Sequence, residues 1–167
     1  REKGIPVVHV PSYGTQIVGQ YAVSLLLEIC SHIGYHSETV KAGKWEKNPD
    51  WCYWDHPMIE LYGKTAGIVG LGRIGQDTAK ILNALNMKVI AYDPYIRQET
   101  VKPYGVTLVS KDELLECSDF ISMHLLLNED TRKSINADFF KKMKKSAIFI
   151  NTGRGGLVDE EALIEAL

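Results

Sequence analysis

Three glycines, spaced Gly70-x-Gly72-x-x-Gly75, follow an apolar run at Thr65–Val69 and open a helical pattern. The spacing suits a main chain that must approach a pyrophosphate. Gly70 permits the tight turn, Gly72 lets backbone come close to phosphate, and Gly75 lets helix and strand pack closely. The helix N-terminus then faces the negative charge. A lone triplet of this kind is a weak signal, common in flexible loops. Its context strengthens it: the run "MKVIAYD" ends in Asp93, 18 residues beyond Gly75. A carboxylate there accepts hydrogen bonds from an adenosine ribose diol and repels a 2′-phosphate, which favours NAD over NADP. Arg73 is placed to flank the phosphates, and Arg97, near Asp93, keeps NADP open. A degenerate or flavin-type site is the alternative.

The second signal is "FINTGRGGLVDEEAL", where an apolar run ends at Asn151 and leads through Thr152 and Gly153 to Arg154. In an open parallel sheet ligands bind beyond the carboxyl ends of strands, where Arg154 falls. Its guanidinium is a fixed fork of donors, suited to a carboxylate and a neighbouring carbonyl oxygen. The plainer reading is a surface-turn arginine paired with Asp159 or Glu160. His124 closes the run Phe120–Met123, which places it either beside a dinucleotide or as an ordinary core or loop histidine. Thr131 either caps the short turn after it or reaches a cofactor.

Other clusters carry less. Glu28, His32 and His36 recur at i, i+4 and i+8, but an apolar surround and the lack of a second ligand group argue against a metal. We expect them on an exposed polar strip, and no metal site is assigned. Asp55 and His56 beside Trp54 belong to a segment that packs as a loop, and His9 lines a cleft only if further chain lies across it. The sequence has no GxSxG elbow and no evident Cys–His pairing, so hydrolase chemistry has no support.

The elements that must position these residues follow from apolar spacing. Of 167 residues, 45% are apolar and 24% charged, enough for a core and unlike a disordered or fibrous chain. Nineteen basic against 21 acidic residues leave a net charge of -2, which argues against nucleic acid. The longest oily stretch, Ala22 to Cys30, is interrupted by Glu28 and is half of what a bilayer needs, so no membrane association is expected. Cys30, Cys52 and Cys117 lack CxxC spacing and fit a reducing compartment. With no secretion signal at the start, the reading is cytoplasmic.

Val7–Val10 is expected to be a strand closed by Pro11, and Thr15 to cap a long helix reaching Ile33. On that helix Ile17, Tyr21, Leu25, Ile29 and Ile33 share a face, and Val18, Leu26, Leu27 and Cys30 widen it. Gly34 and Ser37 weaken helix beyond it. The stretch 43–60 holds three tryptophans and reads as an ordered aromatic arm whose rings dock somewhere. From Lys64 the rhythm is strand and helix in alternation. Strands are expected at Thr65–Val69, Lys88–Tyr92, Val106–Val109, Phe120–His124 and Ala147–Ile150. Helices are expected at Arg73–Asn86, Lys111–Cys117, Ala137–Met143 and from Asp159. Strands apolar on both faces between helices require a parallel sheet covered on both sides, a doubly wound α/β fold of Rossmann type.

With these residues named, the chain resembles the NAD-binding domain of the D-2-hydroxyacid dehydrogenase family over essentially its whole length. The matching stretches are "HVPSYGTQIVGQYAVSLLLE" leading to "AGKW", "LYGKTAGIVGLGRIGQ", "VIAYDPY" and "SMHLLLNEDTRKSINADFFKKMKKSAIFINTGRGGLVDEEAL". The "LLLEICSHIGYHSETVKAGKW…YWDHPMIEL" stretch resembles the hydroxypyruvate reductase (glycerate dehydrogenase) branch. The resemblance implies a two-domain protein, its nucleotide domain inserted into a split substrate domain. On that basis 1–14 is a crossover from the substrate domain, and 15–167 is an NAD-binding domain incomplete at its C-terminus.

The same resemblance implies that Gly70, Gly72, Arg73, Ile74 and Gly75 hold the pyrophosphate and Asp93 the adenosine ribose. His124, Thr131, Thr152 and Arg154 surround the rest of the cofactor and the active cleft. Arg154 matches the family's catalytic arginine, which binds the carboxylate of a 2-keto acid and polarises its keto oxygen. The sequence departs from the family in carrying Leu126 where a proline is usual. The family's acid–base histidine and its glutamate partner lie after residue 167, so this chain alone is expected to bind NAD without turnover. A homodimer through the 15–33 helix and the 43–60 arm is also implied. The rival is an NAD(H)-responsive protein-binding module of corepressor type on the same fold.

Overall fold

The computed structural model describes residues 3–167. Five apolar runs pair into one parallel sheet: β1 (Thr65–Val69), β2 (Lys88–Tyr92), β3 (Val106–Leu108), β4 (Phe120–Met123) and β5 (Ile148–Asn151). Their spatial order is β3-β2-β1-β4-β5, so the direction of winding reverses between β1 and β4. In register, Val69 lies between Tyr92 and Met123, which brings the carboxyl ends of β2, β1 and β4 level. A crevice opens at such a reversal, because the connections leave to opposite faces.

The helices are α1 (Thr15–Ser31), α2 (Ile33–Lys41), α3 (Lys44–Lys47), α4 (Arg73–Ala84), α5 (Gln98–Val101), α6 (Lys111–Cys117), α7 (Ala137–Lys142) and α8 (Glu160–Ala166). Ser110 caps α6 by accepting the Glu113 N–H at 3.2 Å, and Asn136 caps α7 by accepting that of Phe139. Period-two alternation divides the sheet between two cores. Ala66, Ile68 and Phe120 join Ala22, Leu26 and Leu82 on the face covered by α1 and α4. Val69, Ile121 and Met123 join Leu114, Leu115 and Phe139 on the face covered by α6 and α7. Burial on this scale stabilises by about 1.5–3 kcal/mol per large side chain, so both faces are needed to hold the sheet.

The doubly wound α/β expectation holds from Lys64 onward, with the ends of the expected elements differing by one or two residues at most; α5 and the 3-10 turn at Lys102–Tyr104 were not expected. Before Lys64 three corrections are needed. Residues 7–10 form no strand. Val7 is 92% exposed, and β propensity without a neighbouring strand supplies no ladder. The long helix breaks at His32, which adopts a left-handed conformation with φ 49°. There the Glu28 carboxylate accepts the Gly34 N–H, and α2 runs on through Gly34 and Ser37, bent by 58° from α1. Thr15 is the first helical residue and not the cap: Gly14 holds the N-cap position without a side-chain bond.

The broad apolar surface expected of α1 divides into two stripes. Gly19, Ala22, Val23, Leu26 and Cys30 are buried, whereas Ile17, Tyr21 and Ile29 are exposed, as is Ile33 at the start of α2. Two apolar stripes lie on one helix, and only the one rich in small residues fits against α4. The arm is tied back by the Ile59 N–H, which donates to the Cys30 carbonyl at 2.9 Å. Tyr53 packs edge-on against Trp45, yet all three tryptophans point outward, Trp51 being 87% exposed.

Candidate functional site

The glycine turn after β1 is built by the main chain. Gly70 has φ +90°, and a Cβ on it would sit 2.8 Å from the His124 carbonyl oxygen. A Cβ on Gly75 would lie 2.3 Å from the Gly70 carbonyl oxygen, so the first turn of α4 rests directly on the end of β1. Asp93 fastens this turn from the neighbouring strand. Its Oδ2 accepts the Leu71 N–H at 2.8 Å, and its Oδ1 accepts the Tyr95 N–H at 2.9 Å. Gly72, the N-cap of α4, has open space where a side chain would be, and no side chain caps the helix. The first N–H groups of α4 therefore face outward without an intrahelical acceptor. Arg73 is turned toward the N-terminal segment, where its Nη1 donates to the Ser12 hydroxyl.

Beside this turn, at the reversal between β1 and β4, lies a cleft of about 510 Å³. Ile74, His124, Thr152 and Arg154 all line it, with Tyr13, Val18 and the leucines 125–127 as its apolar wall. His124 is packed deeply enough that burial lowers its pKa from 6.5 to about 4, so the ring is neutral near pH 7. Its Nε2 shares a 2.9 Å hydrogen bond with the buried Ser122 hydroxyl. The Thr152 hydroxyl oxygen is buried without a hydrogen-bond partner among the described residues. Such groups are scarce in folded proteins, because a buried hydroxyl without a partner costs free energy.

Arg154 is exposed, and among the described residues its guanidinium forms no ion pair. The plainer alternative does not form: Asp159 faces Lys133 at 3.5 Å instead. Thr131 lies outside the cleft lining. Its hydroxyl donates to the Leu126 carbonyl at 2.6 Å and accepts the Asn128 N–H at 2.9 Å, which makes it the fastener of the 126–131 turn. The discounted polar clusters serve the arm. The His36 Nδ1 bonds the His32 carbonyl, and Asp55 accepts from Tyr35 and Lys44. His56 stacks near His32 and Tyr35.

Four of the ten residues named as catalytic or cofactor-binding meet in the cleft, and the glycines and Asp93 form the turn at its edge. Tyr13, Gly14, Val18 and Gly153 also line it, and none was singled out from sequence. Apolar and glycine residues gain such a role only from tertiary packing, so spacing carried no signal for them. The open Gly72 backbone, the uncapped α4 and the unpartnered Thr152 hydroxyl together fit an extended ligand bearing both phosphate and hydrogen-bonding groups.

Comparison with known proteins agrees with this geometry. The chain is similar to the hydroxypyruvate reductase of Blautia hydrogenotrophica, 51% identical over 167 residues, which is all of this chain and 52% of that protein. It is similar also to the glycerate dehydrogenase of Methylorubrum extorquens, 40% identical over all of this chain and 51% of that protein. Among solved structures, D-lactate dehydrogenase from Aquifex aeolicus complexed with NAD and lactic acid superposes with a TM-score of 0.81. That match is 33% identical and covers 99% of this chain and 48% of the other. The chain thus spans about half the length of the curated relatives it matches. The family model described as "D-isomer specific 2-hydroxyacid dehydrogenase, NAD binding domain" matches residues 23–167. By that match, and by its strand order and glycine turn, this chain belongs to the D-isomer specific 2-hydroxyacid dehydrogenases and is their NAD binding domain.

Proposed function

We propose that the full-length protein is an NAD-dependent dehydrogenase that interconverts a 2-keto acid and its D-2-hydroxy acid, with hydroxypyruvate and glycerate as the first pair to test. The observation that carries this reading is the Arg154 guanidinium, without an ion pair among the described residues, at the mouth of an apolar cleft beside the glycine turn. NADH, when bound, supplies the hydride that reduces the keto carbon. Arg154 donates hydrogen bonds to the substrate carboxylate and to the keto oxygen, stabilising the negative charge that develops there. The N–H groups at the start of α4 receive the pyrophosphate, and Asp93 receives the adenosine ribose. Thr152 reaches the cofactor with its unpartnered hydroxyl, and the cleft leucines exclude water from the transferred hydride.

The proton comes from elsewhere. His124 is neutral near pH 7 and engaged with Ser122, so it is a poor donor to an alkoxide. We infer that this step falls to a histidine outside this chain and that 1–14 is the crossover from a substrate domain. Residues 1 and 2 of that crossover lie outside the described residues. The exposed stripe of α1 (Ile17, Tyr21, Ile29) together with Trp45, Trp51 and Trp54 receives a second copy of the chain. Three unpaired cysteines suit a cytoplasmic setting.

The test is NADH consumption by the full-length protein with hydroxypyruvate, glyoxylate, pyruvate and phosphohydroxypyruvate in parallel, and NADPH as the control. Steady turnover of one acid with NADH supports the reading. NADH binding with no acid consumed contradicts it. A single-species monomer mass across a concentration series in sedimentation contradicts the dimer.

A further inference from the structure

Arg154 stands on a turn with few ways to hold its shape. Between the end of β5 and the 3-10 turn at Gly155–Leu157, the chain has Thr152 without a hydrogen-bond partner and Gly153 exposed. One side chain spans the gap. The Asn151 Oδ1 accepts the Gly153 N–H at 3.0 Å, and its Nδ2 donates to the Arg154 carbonyl at 3.2 Å. The two partners also fix the amide orientation, because only the oxygen can accept and only the nitrogen can donate. The Arg154 carbonyl in turn accepts the Leu157 N–H at 3.1 Å, so one oxygen gathers both sides of the turn. Asn151 itself is held in register opposite Met123, the residue before His124. A short side chain with one donor and one acceptor is what this geometry requires. Aspartate keeps the acceptor only, and alanine keeps neither.

We propose that Asn151 is a positioning residue for Arg154, setting where its guanidinium stands relative to the β4 end of the cleft. The role rests on the reading of Arg154 as the substrate clamp. It predicts a specific pattern in the full-length enzyme. Asn151→Ala lowers kcat/KM for the 2-keto acid about 100-fold, the usual result of a reacting partner displaced by about 1 Å. NADH affinity, read by fluorescence titration, falls far less than kcat/KM, because the glycine turn and Asp93 do not touch Asn151 and Thr152 is the one cofactor contact on its turn. In an Arg154→Ala background the same substitution adds less than about twofold, since the residue it positions is gone. Asn151→Asp, which keeps the bond from Gly153 and nearly the same shape, shows the same loss and carries the test should the alanine variant fold poorly.

Additive losses in the double variant overturn the role and make Asn151 an independent contributor. A parallel fall in NADH affinity overturns it in favour of a general loosening of the cleft. An active wild-type enzyme with an unimpaired Asn151→Asp variant removes the positioning role alone. A wild-type protein inert toward every acid overturns the reading beneath it, and the role with it.

Discussion

The two ends of the parallel sheet differ in the polar groups they leave open. At the amino end the Asp119 carboxylate is fully engaged: Oδ2 accepts the Thr65 N–H at 2.9 Å and Oδ1 accepts from Lys144 Nζ at 2.9 Å. Its backbone is paired as well, its N–H to the Thr65 carbonyl and its carbonyl to the Ile148 N–H. Burial pushes this carboxyl up, but the bonds from Thr65 and Lys144 outweigh that and hold its pKa below the usual value. At the carboxyl end Thr152 has a buried hydroxyl without a partner, α4 has no side-chain cap, and Arg154 has no ion pair among the described residues. Polar groups that close on one another stabilise the fold. Groups left open at a topological reversal cost stability and suit a ligand.

That contrast is open to four tests, from the largest expected effect downward. Arg154→Ala in the full-length protein lowers kcat/KM for the 2-keto acid about 100- to 1,000-fold, as for loss of one transition-state donor. Its unfolding free energy stays within about 0.5 kcal/mol of wild type, because the side chain supports nothing else. Next comes pH. His124 titrates at about 4 when folded against 6.5 when free, so the folded state binds fewer protons in that interval. Stability falls as pH drops from 6.5 to about 4, by about 3 kcal/mol at most, and His124→Gln flattens that window in denaturant titrations. The Asp119 contribution lies lower: present above the unfolded carboxylate value of 3.8, it is lost as pH falls below it.

Asp119→Asn should cost about 1–2 kcal/mol of stability through the weakened Lys144 bond, with NADH affinity unchanged in calorimetric titration. A loss of NADH affinity there would erase the division between the two ends. Thr152→Val is the smallest effect and has the opposite sign in stability. It is neutral or stabilising by up to about 1 kcal/mol, because an unpaired buried hydroxyl is removed, and NADH binding weakens by about tenfold or less.

How much of this was legible in the sequence differs along the chain. The five strands and the glycine turn were readable because each depends on local signals. Runs apolar on both faces demand a covered parallel sheet, and Gly70 and Gly75 stand where no side chain fits. Which stripe of α1 meets α4 was not legible, because both stripes are apolar and spacing alone does not distinguish them. Val7–Val10 has strand composition but no ladder partner in the structure. For Thr131 the sequence left open a turn cap or a cofactor contact, and its hydroxyl bonds within its own turn. Asn151 passed as a strand end, since its two bonds to the Arg154 turn exist only once that turn has formed.

The most direct test of the central claim is amide hydrogen exchange on this chain with and without NADH. Added protection is predicted at the start of α4, over residues 72–75, and around residues 152–154, with none near Thr65, Asp119 and Lys144. Protection confined to the amino end of the sheet, or no change at either end, would contradict the account.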